Sequence, residues 1–292
     1  MGRNEAAGTS VTNMNILDDA EKLSPATGNA NGIASLPPPV QELSPREIWK
    51  PLDLILFVSF VPFALLAAKI VLLIAYSALR PLMGWQTTVD LAQTDTIFLL
   101  VQQCVFYVFV LAFFILLARV QHQQPMWKSL GWKRPAPLEA MGYLGSGCLL
   151  AMVASFGLWL LPDTQSFPLE KLFNSKTASI AIGSFAILIA PVVEELVFRG
   201  LIFAIVERTV GLKTAVVISA VLFASLHIPE YWHAWYHLLM ILIVGFVFSI
   251  ARGSSGSLTP SIFLHIGYNA LIMVGVFAST QHFHTFSAFT LP

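Results

Sequence analysis

Residues 187–203 read ILIAPVVEELVFRGLIF, a run fit for lipid apart from two glutamates and an arginine. A charged side chain at the centre of a bilayer costs about 2.5 kcal/mol or more. Glu194, Glu195 and Arg199 therefore need partners, shelter from lipid, or a task. Composition says that the run is a membrane segment. Of 292 residues, 56% are hydrophobic and 11% charged, with a mean hydropathy of +0.74. Soluble domains carry about 25% charged residues. The net charge is zero, so the chain lacks the basic footprint of a nucleic-acid binder.

Apolar segments recur outward from this run, near 53–77, 97–119, 139–161, 179–207, 213–228, 236–252 and 259–279. A membrane-spanning helix needs about 20 residues. The segment 213–228 is short and ends at Pro229, and the long segment 179–207 carries Pro191, which predicts a kink. The expected fold is all-α, a polytopic integral membrane helix bundle of about seven to eight transmembrane helices. Residues 1–50 are polar and proline-punctuated and lack the basic start and apolar core of a signal peptide. A disordered tail is expected there, with Trp49 as an interfacial anchor. The division is then 1–50 tail, 51–178 first transmembrane helices, 179–279 functional bundle, and 280–292 short C-terminal tail. Cys104 and Cys148 lie in separate apolar runs without metal-type spacing and read as small core residues.

Basic residues orient the set. With the N-terminus inside, the inner flanks hold Arg46, Lys50, Arg119, Lys128, Lys133, Arg134, Arg208, Lys213 and Arg252. The outer flanks hold only Arg80, Lys171 and Lys176. That bias predicts a cytoplasmic N-terminus.

Helical geometry separates the two glutamates. Successive residues sit about 100° apart, so Glu194 and Glu195 face different ways. Arg199 lies four residues after Glu195, on nearly the same face. The expected pair is Glu195–Arg199, which leaves Glu194 free for a polar cavity. Two further segments carry matching anomalies. "LFASLHIP" puts His227 four residues after Phe223, and "IFLHIGYNAL" puts His265 and Asn269 four apart on one face. A carboxylate, two imidazoles, an amide and an ion pair suit hydrolysis, with a base for water and donors for a developing oxyanion. Buried Glu, Arg and His also serve as proton relays. A transporter, or a non-catalytic immunity or assembly factor, therefore stays open.

The motifs EELVFR (194–199), FASLH (223–227) and HIGYN (265–269) follow EExxxR, FxxxH and HxxxN. In this the chain resembles the CPBP family of intramembrane proteases, the type II CAAX prenyl endopeptidases and their bacteriocin-processing, ABI-type relatives. The resemblance spans about 179–279. It implies an intramembrane endopeptidase in a bacterial cell membrane acting on a membrane-associated peptide or protein. Glu194 and His227 would activate water. His265 and Asn269 would stabilise the oxyanion, with Glu195, Arg199 and Phe223 in support. The family has been described both as metalloproteases and as metal-independent glutamate proteases. If zinc-dependent, the ligands would be Glu194, His227 and His265.

Two local motifs compete. "HAWYH" places His233 and His237 at i and i+4 beside Glu230, but Ala234 stands where a zincin has its glutamate. The stretch reads as an aromatic interface belt. "GSSG" (253–256) offers Ser255 as a rhomboid-like nucleophile, though its place between two apolar runs reads as a loop. Counting depth from the basic flanks predicts a water-filled cavity entered from the cytoplasmic side, with kinks or deeper helix starts bringing the three motifs together.

Overall fold

The computed structural model describes residues 48–161, 173, 175–280 and 283. The expected 1–50 tail, apart from Ile48–Lys50, and most of 280–292 lie outside these residues. Seven long helices follow: α1 Pro51–Met83, α2 Thr96–Gln121, α3 Pro137–Trp159, α4 Lys176–Val210, α5 Leu212–Leu226, α6 Trp235–Ser255 and α7 Thr259–Ser279. All but α5 are long and apolar enough to cross a membrane. The chain is a polytopic helical bundle with six such helices, and the seventh, α5, stops short because Pro229 cannot continue its ladder.

Local chemistry sets the ends. Asp95 caps α2 by accepting from Ile97 and Phe98, and Ser175 caps α4 through Ala178 N–H. Pro51, Pro137 and Pro260 open α1, α3 and α7 at the first turn, where no N–H is required. Gly256, with φ of 63°, closes α6 and returns its N–H to Arg252 O. In α4 the regular pattern breaks at Ile189, just before Pro191, and widens to a π segment over Leu196–Ile202. The predicted kink thus falls directly before the glutamates.

Close packing places α7. A Cβ at Gly147 of α3 would fall on the Leu264 carbonyl, and one at Gly267 of α7 on the Leu144 carbonyl. Backbone meets backbone, a contact that only small residues permit. Cys148 Sγ donates to Gly267 O across the same crossing (3.3 Å), and both cysteines are free thiols. The start of α7 is sheltered by the segment before α3: Leu258 N–H donates to Gly131 O (3.0 Å), and Thr259 Oγ1 donates to Lys133 O. Leu258, Thr259 and Ser261 are all buried. Trp49 departs from expectation. It is fully buried, its indole N–H donates to Ser129 O (2.7 Å), and its ring packs edge-on against Phe114 and His122. The indole found its acceptor in the protein and not at the lipid interface.

Candidate active site

The kink in α4 turns Glu194 and Glu195 to opposite tasks, as the 100° step requires. Glu195 is wholly buried, and its Oε1 accepts from Arg199 Nη1 at 2.7 Å and from His265 Nδ1 at 3.0 Å. Arg199, equally buried, spends Nη2 on Gly245 O (2.9 Å) and Nε on Ser249 Oγ (3.4 Å). Its guanidinium carbon lies 4.6 Å from the centre of the Phe223 ring and 5.5 Å from that of Phe248. The charge is thus neutralised, hydrogen-bonded and stacked, as burial in the bundle demands.

Glu194 instead faces a cavity of about 550 Å³ that His227, His265 and Asn269 also line. Its Oε1 accepts from the Tyr107 hydroxyl at 3.3 Å, and its Oε2 lies 3.8 Å from His265 Nε2. The second distance exceeds a hydrogen bond. The ring tautomers follow from their partners. A carbonyl or carboxylate oxygen only accepts, so His265 carries its proton on Nδ1 toward Glu195. His227 likewise carries its proton on Nδ1, 3.0 Å from Phe223 O. Both imidazoles therefore turn Nε2 away from their anchors. Phe223 is the hub, tilted against His227 (5.0 Å between centres) and edge-on to His265 (5.7 Å).

All three motifs meet at this cavity, but the contacts rank them differently from expectation. The imidazole within 4 Å of Glu194 is that of His265, while His227 lines the wall without an ion pair to either glutamate. Asn269 donates one N–H to Ala186 O (2.7 Å), which fixes its plane and leaves its second amide N–H. Sequence reasoning missed Tyr107. It comes from α2, 87 residues away from Glu194, and stacks on Phe185 with ring centres 5.5 Å apart. Glu230, which the sequence places at the start of the aromatic belt, is exposed and lines the same cavity. The walls keep water from much of the Glu230 carboxylate and push it above the ordinary carboxylate range; His227 opposes this shift and Glu194 adds to it.

The zinc set does not assemble. Among the described residues, no three His, Cys, Asp or Glu side chains gather where they could hold an ion. The competing motifs also fall away on placement. His237 lines the cavity stacked on Tyr231 (9° between planes), and the exposed Trp232 and Trp235 pack together beside it as a belt. Ser255 lies in the last turn of α6 and donates to Ala251 O (2.7 Å), away from the cavity. The cavity reaches toward the helix ends that lie away from the basic flanks. Its lining includes Thr96 at the start of α2, Leu158 at the end of α3, and Glu230 beyond α5, all at the opposite ends of these helices.

Residues 176–271 match the family described as Type II CAAX prenyl endopeptidase Rce1-like, about a third of the chain. No curated protein and no solved structure matches. The match takes in all of α4 to α6, the first half of α7, and all three motifs. Over these residues the chain is similar to the CAAX-type endopeptidases of the CPBP family.

Proposed function

We propose that the chain hydrolyses a peptide bond of a membrane-associated substrate inside the cavity, with Glu194 as the base that activates water. The observation that carries this reading is the division of labour in EELVFR. One glutamate is consumed by Arg199 and His265, while its neighbour stands in an open cavity beside an imidazole. A structural ion pair needs only the first of these. In the reaction, Glu194 takes a proton from water as the oxygen attacks the substrate carbonyl carbon. The negative charge passes to the carbonyl oxygen, where the free Asn269 N–H is a donor. The C–N bond then breaks, and the proton held by Glu194 goes to the departing amine. His227 and His265 present Nε2 atoms that hold the water and relay that proton, and Glu195 fixes the His265 ring. Each of these steps is carried by the chain's own side chains.

Glu194→Gln tests the base. The amide keeps the shape but takes no proton, so proteolysis should fall to background while thermal stability in detergent stays near wild type. Turnover comparable to wild type would remove Glu194 from the chemistry. It would restore the reading as a non-catalytic membrane factor.

A further inference from the structure

The π segment of α4 carries an extra residue in its turn, and that residue has to be held. Over Leu196–Ile202 the ladder steps by five, with Phe203 N–H donating to Phe198 O. Were the segment to relax to a regular α-helix, the residues before it would turn by about 100° against those after it. Glu194 and Glu195 directly precede it, so its register decides which way they face.

Two residues outside the three motifs grip adjacent carbonyls of this turn. A helical serine commonly returns its hydroxyl to its own preceding turn, as Ser225 does to Leu222 O. Ser219 of α5, wholly buried, instead donates across the crossing to Phe198 O (3.1 Å). Arginines near helix ends commonly extend their heads to water. Arg252 of α6 is buried, and its Nε donates to Arg199 O (3.0 Å), with the guanidinium carbon 5.5 Å from the centre of the Phe203 ring. Both donors continue helix faces already at the site. Ser219, Phe223 and His227 are spaced four apart on α5, which aligns the hydroxyl with the ring on Arg199 and the cavity imidazole. Gly245, Ser249 and Arg252 form a second stripe on α6, which takes Arg199 by both side chain and backbone.

We propose that Ser219 and Arg252 are positioning residues that lock the register of the π segment and thereby aim Glu194 into the cavity. The lock stands on these contacts; its service to catalysis rests on the protease reading.

Thiol chemistry on the purified chain in detergent reads the register without turnover. The probe is Glu194→Cys in the full chain carrying Cys104→Ala and Cys148→Ala, with Lys133→Cys as an exposed control. The reagent is methanethiosulfonate ethylammonium, used at a temperature where every variant is still folded. Adding Ser219→Ala should slow labelling at position 194 about ten-fold, the scale of one lost hydrogen bond, and leave the control unchanged. Arg252→Met and Arg252→Gln both remove the charge, but the glutamine amide keeps a nitrogen donor as many bonds from the backbone as Nε. Arg252→Met should slow labelling as Ser219→Ala does, and Arg252→Gln should restore it. Unchanged labelling in Ser219→Ala and Arg252→Met, with only lowered melting temperatures, overturns the proposal. So does a position 194 that fails to label when Ser219 and Arg252 are intact. Equal rates in Arg252→Gln and Arg252→Met overturn it at Arg252. In the chain that keeps Glu194, Ser219→Ala should lower kcat and leave KM unchanged. The expected labelling pattern in a protein that never cleaves a peptide would sink the protease reading and leave the lock standing.

Discussion

Two adjacent glutamates differ in everything but chemistry. Glu195 is consumed by its partners, and removing either Glu195 or Arg199 strands a buried charge, which costs about 3–5 kcal/mol. Glu195→Gln and Arg199→Gln should each lower folded yield, and the double replacement should recover more folded protein than either single change. Strictly additive losses in detergent stability would show the pair to be uncoupled. Glu194 depends on a weaker contact. A hydrogen bond to a charged group is worth about 1.5–3 kcal/mol, and the 3.3 Å Tyr107 contact belongs at the low end. Tyr107→Phe keeps the ring on Phe185 and should lower kcat about ten-fold with KM unchanged. A rise in KM alone would mean that Tyr107 serves binding and not Glu194. At the rim, Glu230 holds its proton above the ordinary carboxylate value of 4.5. Its contribution to stability is full below that value and lost as pH rises through the raised one. Glu230→Gln stays neutral, so unfolding temperatures across that window should decline less with pH than in the wild type. Equal slopes would show that the carboxyl is freely solvated.

The helices show why some of this was readable in advance. Hydropathy and proline positions predict all seven apolar segments to within a few residues, because lipid leaves the backbone no alternative to the helix. The Glu195–Arg199 pair was legible for the same reason, since both residues share one helix face. Legibility stops where one helix meets another. Nothing in "FFILLARV" or "CVFYVF" announces that Tyr107 reaches Glu194, because that contact depends on the pairing of α2 with α4. Trp49 has the composition of an interface anchor, yet a buried carbonyl lay within its reach. Helix crossings also make a prediction of their own. Gly267 lies against the Leu144 carbonyl, whereas a Cβ at Gly275 in the same helix meets nothing within 4 Å. Gly267→Val should unseat α7, and with it His265 and Asn269, lowering both thermal stability and activity. The same change at Gly275 should be tolerated. If the two variants melt alike, the close α3–α7 crossing does not hold the site.

Across the whole molecule, the family match begins at residue 176, yet the site does not. Read by motif, the first three helices contribute little. In the folded chain they supply the Tyr107 hydroxyl, the Gly147 surface on which α7 rests, the Gly131 and Lys133 carbonyls that shelter its start, and the Ser129 carbonyl that holds Trp49. Trp49 in turn receives Arg208 from the end of α4. A half-molecule of α4 to α7 would keep every motif residue but expose the α7 backbone at Gly267 and leave Glu194 without its α2 partner. Splitting the chain between residues 161 and 173 tests this, because the cut falls between α3 and α4 and removes no described helix. The C-terminal half alone should insert but show neither proteolysis nor a cooperative thermal transition. Co-expression of the two halves should restore both in part, since the surfaces that join them are preformed helix faces. Full activity from the C-terminal half alone would mean that the matched segment is self-sufficient. The N-terminal helices would then have no part in positioning Glu194.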